Sequence, residues 1–149
     1  WEMLVKGRCE ADFNAHFGDH RVPYDTALQE HYHYGPPADW RDNFVSAYAS
    51  MHPWEDFAES FGVYLDMVSL LDTSMHGGLV ASVDPRRADW NIMVDRYVRL
   101  AVMLNELNRA MGLIDLVPEV LTTPTIRKLA FVHNLIRVTT SRRQSLTCA

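Results

Sequence analysis

The longest helical pattern in the chain begins at Pro53 and ends at the pair Gly77 and Gly78. Proline suits the first position of a helix because its missing N–H has no intrahelical partner there, and glycine commonly ends a helix. Within this stretch apolar residues recur every three or four positions. They predict one broad buried stripe, formed by Trp54, Phe57, Ala58, Phe61, Leu65, Val68 and Leu71. We expect this helix to be central to the core.

The rest of the chain shows the same helical punctuation. Apolar spacing, prolines at helix starts and glycines at helix ends predict further helices within 9–18, 22–35, 38–51 and 90–112, and a last one with Thr123 as N-cap. No stretch alternates polar and apolar residues as a strand does. The sequence therefore predicts an all-α fold, a single compact bundle-like domain of about five to six helices over residues 1–149. Residues 139–149 are expected to fray.

Composition narrows the possible partners and the location. The chain has 14 Lys and Arg against 19 Asp and Glu, a net charge of −5, and its basic residues are scattered, so we expect no nucleic-acid partner. The sequence contains no run of 18 apolar residues, so we expect no membrane-spanning helix. The two cysteines, Cys9 and Cys148, form no disulfide framework, which favours a reducing cytoplasm.

Two histidine pairs are candidate metal ligands. His16 and His20 in "HFGDH" have the i, i+4 spacing of zinc hydrolases. However, Phe17 stands where such enzymes need a glutamate, and Gly18 weakens the helix, so surface or helix-end histidines are the preferred interpretation. His31 and His33 are two residues apart, which on a helix directs them to different sides.

The start of the long helix carries a more informative pair of carboxylates. Glu55 and Glu59 are one turn apart, a spacing at which like charges repel. One interpretation is that Glu55 and Asp56 favour the positive end of the helix dipole, where a glutamate can also close a capping interaction. The other is that Glu55 ligates a metal and Glu59 supports a neighbouring ligand. Spacing alone favours the first.

Three stretches together resemble the bacterial family described as putative zinc-binding metallopeptidases. They are "GPPADWRDNFVSAYASMHPWEDFAESFGVYLDMV", "LNELNRAMGL" and "TIRKLAFVHNLI", of which the block "SAYASMHPWEDFAE" is the most specific. The family is typically a zinc ribbon followed by a peptidase-like domain, in which an H-E-x-G-H helix precedes a tryptophan and an apolar run. Here Trp1 to Val5 match that run, and "WEMLVKG" resembles the last turns of a helix cut off at its front.

The resemblance implies a gluzincin-like site divided between this chain and a segment before residue 1. That segment would hold two zinc-binding histidines and the general-base glutamate. Glu55 would be the third metal ligand and Glu59 its support, while Tyr48, and more weakly His52, would stabilise the oxyanion. Zinc is expected in the full-length protein and is not expected in this fragment, which would be inactive alone. A peptide or protein is the implied substrate.

Two alternatives stay open at this point. The chain could be a metal-free helical interaction or scaffold domain, or it could hold a small local metal site built from His16, His20 and Glu55. A missing front would also expose apolar surface, so we expect either self-association or a groove near Tyr48, Glu55 and Glu59.

Overall fold

Helices are the regular secondary structure of the described part of the chain. The computed structural model describes residues 1–79, 84 and 88–147, with the side chains of the last helix described as far as residue 137. These residues contain no strand, one short 3₁₀ helix at Tyr48–Met51 and six α-helices: α1 (Glu10–Phe17), α2 (Tyr24–Tyr34), α3 (Trp40–Asn43), α4 (Pro53–His76), α5 (Trp90–Ala110) and α6 (Thr123–Thr147). The predicted all-α fold is confirmed. None of the described helices is long and apolar enough to cross a membrane.

Internal packing divides the chain into two compact units. The first contains Trp1–Tyr64 and Thr122–Ala149, and the second contains Leu65–Leu121. The start of α4, all of α1 to α3 and the whole of α6 therefore lie in the first unit.

An aromatic cluster forms the centre of the first unit. Phe13 and Phe17, one turn apart on α1, stack with ring centres 4.9 Å apart. Phe57 of α4 meets Phe13 edge to face at 5.6 Å, and Phe131 of α6 meets Phe17 in the same way at 5.6 Å. Edge-to-face pairs add to the stability that area burial alone provides. The cluster fixes α1 against the first turns of α4 and the middle of α6.

The apolar stripe predicted for α4 is only partly correct. Phe57 and Leu71 are buried as predicted, but Trp54 and Leu65 are 39% and 51% exposed. Polar residues replace them on the buried side, where Ser60 is fully buried. Periodicity counts such polar positions as solvent-facing, so the predicted stripe was turned away from the true core side.

The predicted helix over 38–51 is wrong in its middle. Helix α3 ends after one turn, Phe44 is extended (φ −133°, ψ 155°), and the chain turns again only in the 3₁₀ helix that starts at Tyr48. The Ser46 hydroxyl accepts a hydrogen bond from the amide three residues later, which satisfies an orphan donor at that new start. The break also places the Phe44 ring under the Lys128 ammonium, 4.1 Å from the ring centre. A tertiary contact thus overrides the local helical pattern.

Other sequence predictions differ in detail or lie outside the described residues. Thr122 rather than Thr123 caps α6, since its hydroxyl accepts from the Thr125 amide. The Trp1 carbonyl accepts from amides up to five residues later, so residues 2–8 form hydrogen-bonded turns. The predicted surface connection over 79–89 lies mostly outside the described residues, Cys148 lies outside them entirely, and fraying of 139–149 stays a prediction.

The second unit is organised by Asn105, which is fully buried on α5. Its side-chain amide donates to the Val117 carbonyl at 2.9 Å, and its carbonyl oxygen accepts from the Leu116 amide at 2.8 Å. Arg109 adds ion pairs to Asp115 at 2.6 Å and Glu119 at 2.8 Å. These contacts hold the segment after α5 against the helix it follows.

Candidate functional site

The two histidines of "HFGDH" do not share a helix face. Helix α1 ends at Phe17, and Gly18 has a φ of +96°, a conformation that favours glycine. His16 lies against Phe131, whereas His20 lies against Trp1, with ring centres 5.2 Å and 5.0 Å apart respectively. The i, i+4 argument fails because the helix stops between them.

The second histidine pair separates as the helical spacing predicts. His31 of α2 contacts the Tyr48 ring edge to face at 5.9 Å. His33, two residues later, is exposed and contacts the Tyr34 ring at 4.5 Å. Only His31 therefore lies beside a predicted site residue.

Glu55 is held by a tyrosine that sequence analysis did not identify. The Tyr24 hydroxyl, at the start of α2, donates to Glu55 Oε1 at 2.7 Å. Glu55 is half-buried in the first turn of α4, and its second carboxylate oxygen makes no further hydrogen bond or ion pair within the described residues. The side chain that could have closed a cap on α4 is instead directed to another helix.

Tyr48 joins the same group of side chains. The hydrogen bond to Glu55 is the main cause that raises the pKa of Tyr24, and an interaction with the Tyr48 phenol is the second cause. The Tyr48 ring contacts His31 of α2, the helix that begins at Tyr24. Tyr24 thus has a direct hydrogen bond to the predicted ligand Glu55, and Tyr48 contacts the same helix α2.

His52 occupies a structural position beneath this group. It is 2% exposed, and the Trp54 amide donates to its Nδ1 at 3.0 Å, so the imidazole caps the start of α4. Its Nε2 lies 3.0 Å from the Val22 carbonyl oxygen. A carbonyl only accepts, so Nε2 carries the proton, and both ring nitrogens are engaged. Its geometry therefore suits holding the site together rather than contacting a substrate.

Glu59 stands apart from these contacts. It lies on α4 one turn after Glu55 and is exposed. Among the described residues its side chain has no hydrogen bond or ion pair. Its supporting role stays a prediction.

The carboxylate next to Glu55 belongs to the core. Asp56 is 1% exposed, and the Lys128 ammonium lies 2.6 Å from its Oδ2 without hydrogen-bond alignment. The ammonium donates instead to the Asn43 carbonyl at 2.7 Å, while Ser60 donates to Asp56 Oδ1 at 3.4 Å. Burial raises the pKa of Asp56 to about 6, against the opposing effect of Lys128.

A row of aromatic rings leads from Glu55 to the first residue of the chain. The Trp54 ring stacks on Tyr24, with centres 6.2 Å apart, and meets the Trp1 ring at 5.9 Å. Residue 1 therefore lies two ring contacts away from the tyrosine that holds Glu55.

Among the side chains of this group, the Glu55 carboxylate is chemically suited to bind zinc. A glutamate with one oxygen held and, among the described residues, no partner at the other suits monodentate coordination, and carboxylate oxygens ligate zinc. Within the described residues, however, no group of three or more His, Cys, Asp or Glu side chains is placed to hold a metal ion. Glu55 is therefore a candidate for a single metal ligand and does not form a metal site with other described residues.

Tyr24 was missed because no local pattern marks it. It follows Pro23 at the start of a helix and is separated from Glu55 by 31 positions in the sequence. Aromatic residues stand beside both Pro23, before α2, and Pro53, at the start of α4. This shared feature is the one sequence signal that could have suggested a contact between the two helix starts.

Comparison with known proteins gives one family. Residues 1–135 match the model of the family described as "Putative zinc-binding metallo-peptidase". Two uncharacterized proteins, one of Mycobacterium tuberculosis and one of Mycobacterium bovis, are each 42% identical to this chain over 130 residues. The match covers 83% of this chain but 38% of each relative, so the chain spans well under half their length. No solved structure matches the chain.

Proposed function

Because the chain belongs to the family described as putative zinc-binding metallo-peptidases, we propose that it is the helical lobe of a zinc-dependent peptidase. The whole protein would hydrolyse peptide bonds in a peptide or protein substrate. Bound zinc would supply a water with a pKa near 7 and would polarise the substrate carbonyl. The observation that supports this most directly is the Glu55 carboxylate, which Tyr24 holds at one oxygen and which has no partner at the other in the part of the chain that the structure describes.

In this proposal Glu55 is the metal ligand that this chain contributes. The start of a helix suits it, because the positive end of the helix dipole favours a carboxylate there. Tyr48 would donate a hydrogen bond to the oxyanion that develops on the substrate carbonyl. His52 would act by holding the start of α4, and Glu59 would support a ligand from outside the chain.

We place the two remaining ligands and the general base in an H-E-x-x-H segment that precedes residue 1. The ring contacts from Trp1 to Trp54 and Tyr24 support this, because a segment entering at residue 1 would arrive beside the Glu55 group. The greater length of the mycobacterial relatives is consistent with it.

Two consequences concern the 149-residue chain by itself. Lacking two ligands and the base, it would bind no zinc and show no peptidase activity. The surface around Tyr48, Glu55 and Glu59 would also lack its covering segment, so the chain would either self-associate through this surface or leave a groove there.

Elemental analysis tests the proposal. We expect one equivalent of zinc in the full-length protein and loss of zinc in its Glu55→Ala variant. Glu30→Ala is the matched control, since Glu30 is an exposed glutamate on α2. Zinc retained in Glu55→Ala would contradict the ligand assignment, and stoichiometric zinc in the 149-residue chain alone would contradict the division of the site.

The competing hypothesis is a helical scaffold domain that needs no metal. It predicts that neither the chain nor the full-length protein holds zinc. In that case Glu55 would only fasten α4 to α2 through Tyr24.

A further inference from the structure

We infer that Tyr24 is the residue that positions Glu55 for metal binding, by committing one carboxylate oxygen to a hydrogen bond and leaving the other to the metal. The inference rests on the proposed function, since it takes Glu55 as a ligand. The 2.7 Å contact joins the Tyr24 hydroxyl to Oε1 alone. A phenol that donates to a carboxylate restricts its rotation and distinguishes its two oxygens.

Tyr24 is itself held in place by the rings around it. Its ring meets His52 edge to face at 5.2 Å and stacks on Trp54 at 6.2 Å. The residue before it, Pro23, fixes the backbone at the start of α2 with φ at −61°. The phenol therefore reaches Glu55 from a rigid position.

His52 links the two segments that carry the pair. Through Nε2 it binds the carbonyl of Val22, two residues before Tyr24, and through Nδ1 it binds the amide of Trp54, the residue before Glu55. One buried imidazole thus sets the distance between the start of α2 and the start of α4. This makes the contact between Tyr24 and Glu55 a built feature of the fold rather than a chance meeting of surface side chains.

Tyr24 is distinguished from Tyr48 by what it touches. Tyr24 donates directly to Glu55, whereas Tyr48 is a neighbour of Tyr24 and lies against His31. Removal of the Tyr24 hydroxyl should therefore change how the metal is held. Removal of the Tyr48 hydroxyl should affect turnover without weakening metal binding.

The test compares single-oxygen deletions in the full-length protein. We expect Tyr24→Phe to weaken zinc binding about 10- to 100-fold, the usual effect of losing a group that orients a ligand. The readouts are zinc competition with a chromogenic chelator and the visible absorption spectrum of the cobalt-substituted protein, which reports ligand geometry. Tyr32→Phe, an exposed tyrosine on the same helix, is the control and should change neither.

Glu55→Ala separates the two possible failures. If it loses zinc while Tyr24→Phe binds zinc as tightly as the wild type, the role of Tyr24 is wrong and the ligand assignment survives. If Glu55→Ala keeps its zinc, the assignment fails and the inference about Tyr24 fails with it.

A second measurement needs no metal. In the 149-residue chain, the carboxyl carbon resonance of Glu55 should shift in Tyr24→Phe and stay unchanged in Tyr32→Phe. An unchanged Glu55 resonance in Tyr24→Phe would show that the hydrogen bond does not hold the carboxylate, which would overturn the inference.

Discussion

Glu55 and Asp56 are adjacent carboxylates in the first turn of α4, yet they belong to different regions of the molecule. Glu55 is half-buried, bonded to a neutral phenol and left with one free oxygen within the described residues. Asp56 is buried beside the Lys128 ammonium, with a serine on its other oxygen. Successive residues of a helix point about 100° apart, so one turn can present one carboxylate to the core and the next to a site.

The comparison shows that the side chain bonded to a carboxylate determines what that carboxylate can do. A buried carboxylate needs an opposite charge, because an uncompensated one in the core is costly. A half-buried carboxylate that accepts a phenol hydrogen bond at one oxygen can present the other oxygen to a cation. Asp56 is thus fixed by a lysine on α6, while Glu55 is oriented by a tyrosine on α2.

The largest expected effect comes from removing the charge that compensates Asp56. Lys128→Met should lower the free energy of unfolding by about 3 to 5 kcal/mol, because it leaves a buried carboxylate without its ion pair. It also removes the hydrogen bond to the Asn43 carbonyl and the contact with the Phe44 ring. Urea unfolding would measure the loss.

Lys6→Met is the matched control for that variant. Lys6 pairs with Glu2 at 2.9 Å on the surface, where an ion pair contributes at most about 1 kcal/mol. If Lys128→Met were no more destabilising than Lys6→Met, the Asp56 pair would not be part of the core.

The next largest effect should be the pH dependence of stability that the buried Asp56 causes. Burial raises the pKa of Asp56 to about 6, above its unfolded value of 3.8, so the folded state favours the protonated form. The corresponding stabilisation is fully present below about pH 4 and is lost as the pH rises through 6. Each unit of pKa difference corresponds to about 1.4 kcal/mol.

The measurement is the difference in free energy of unfolding between wild type and Asp56→Asn at several pH values. As the pH rises from 4 to 6.5, the wild type should lose stability relative to Asp56→Asn. A flat difference for Asp56→Asn would contradict the raised pKa.

The sequence predicted the longer helices correctly because their ends are marked locally, whereas the helix predicted over 38–51 is broken at Phe44. Pro53 begins α4, and Gly35 follows the last residue of α2, as helix punctuation indicates. It could not predict that Asp56 and Ser60 face the core, because periodicity treats polar residues as exposed. The ion pair that makes this burial possible involves Lys128, on a distant helix.

The candidate site was predictable only in part for the same reason. Tyr48 and Glu55 share one short block of sequence, and the family resemblance assigned their roles. Tyr24 and the two hydrogen bonds of His52 depend on how the start of α2 meets the start of α4. No spacing rule within a single segment contains that information.

The smallest expected effect is the coupling between Tyr24 and Glu55 in the isolated chain. A double-mutant cycle of Tyr24→Phe and Glu55→Ala should give about 1 kcal/mol, since a net hydrogen bond in a partly exposed position contributes little to stability. Glu55→Ala alone should cost far less than Lys128→Met, because no buried charge is left behind. Urea unfolding of the four proteins at pH 7 would measure both quantities. A coupling as large as the expected Lys128→Met effect would place Glu55 among the core carboxylates, and its free oxygen would then no longer argue for a metal.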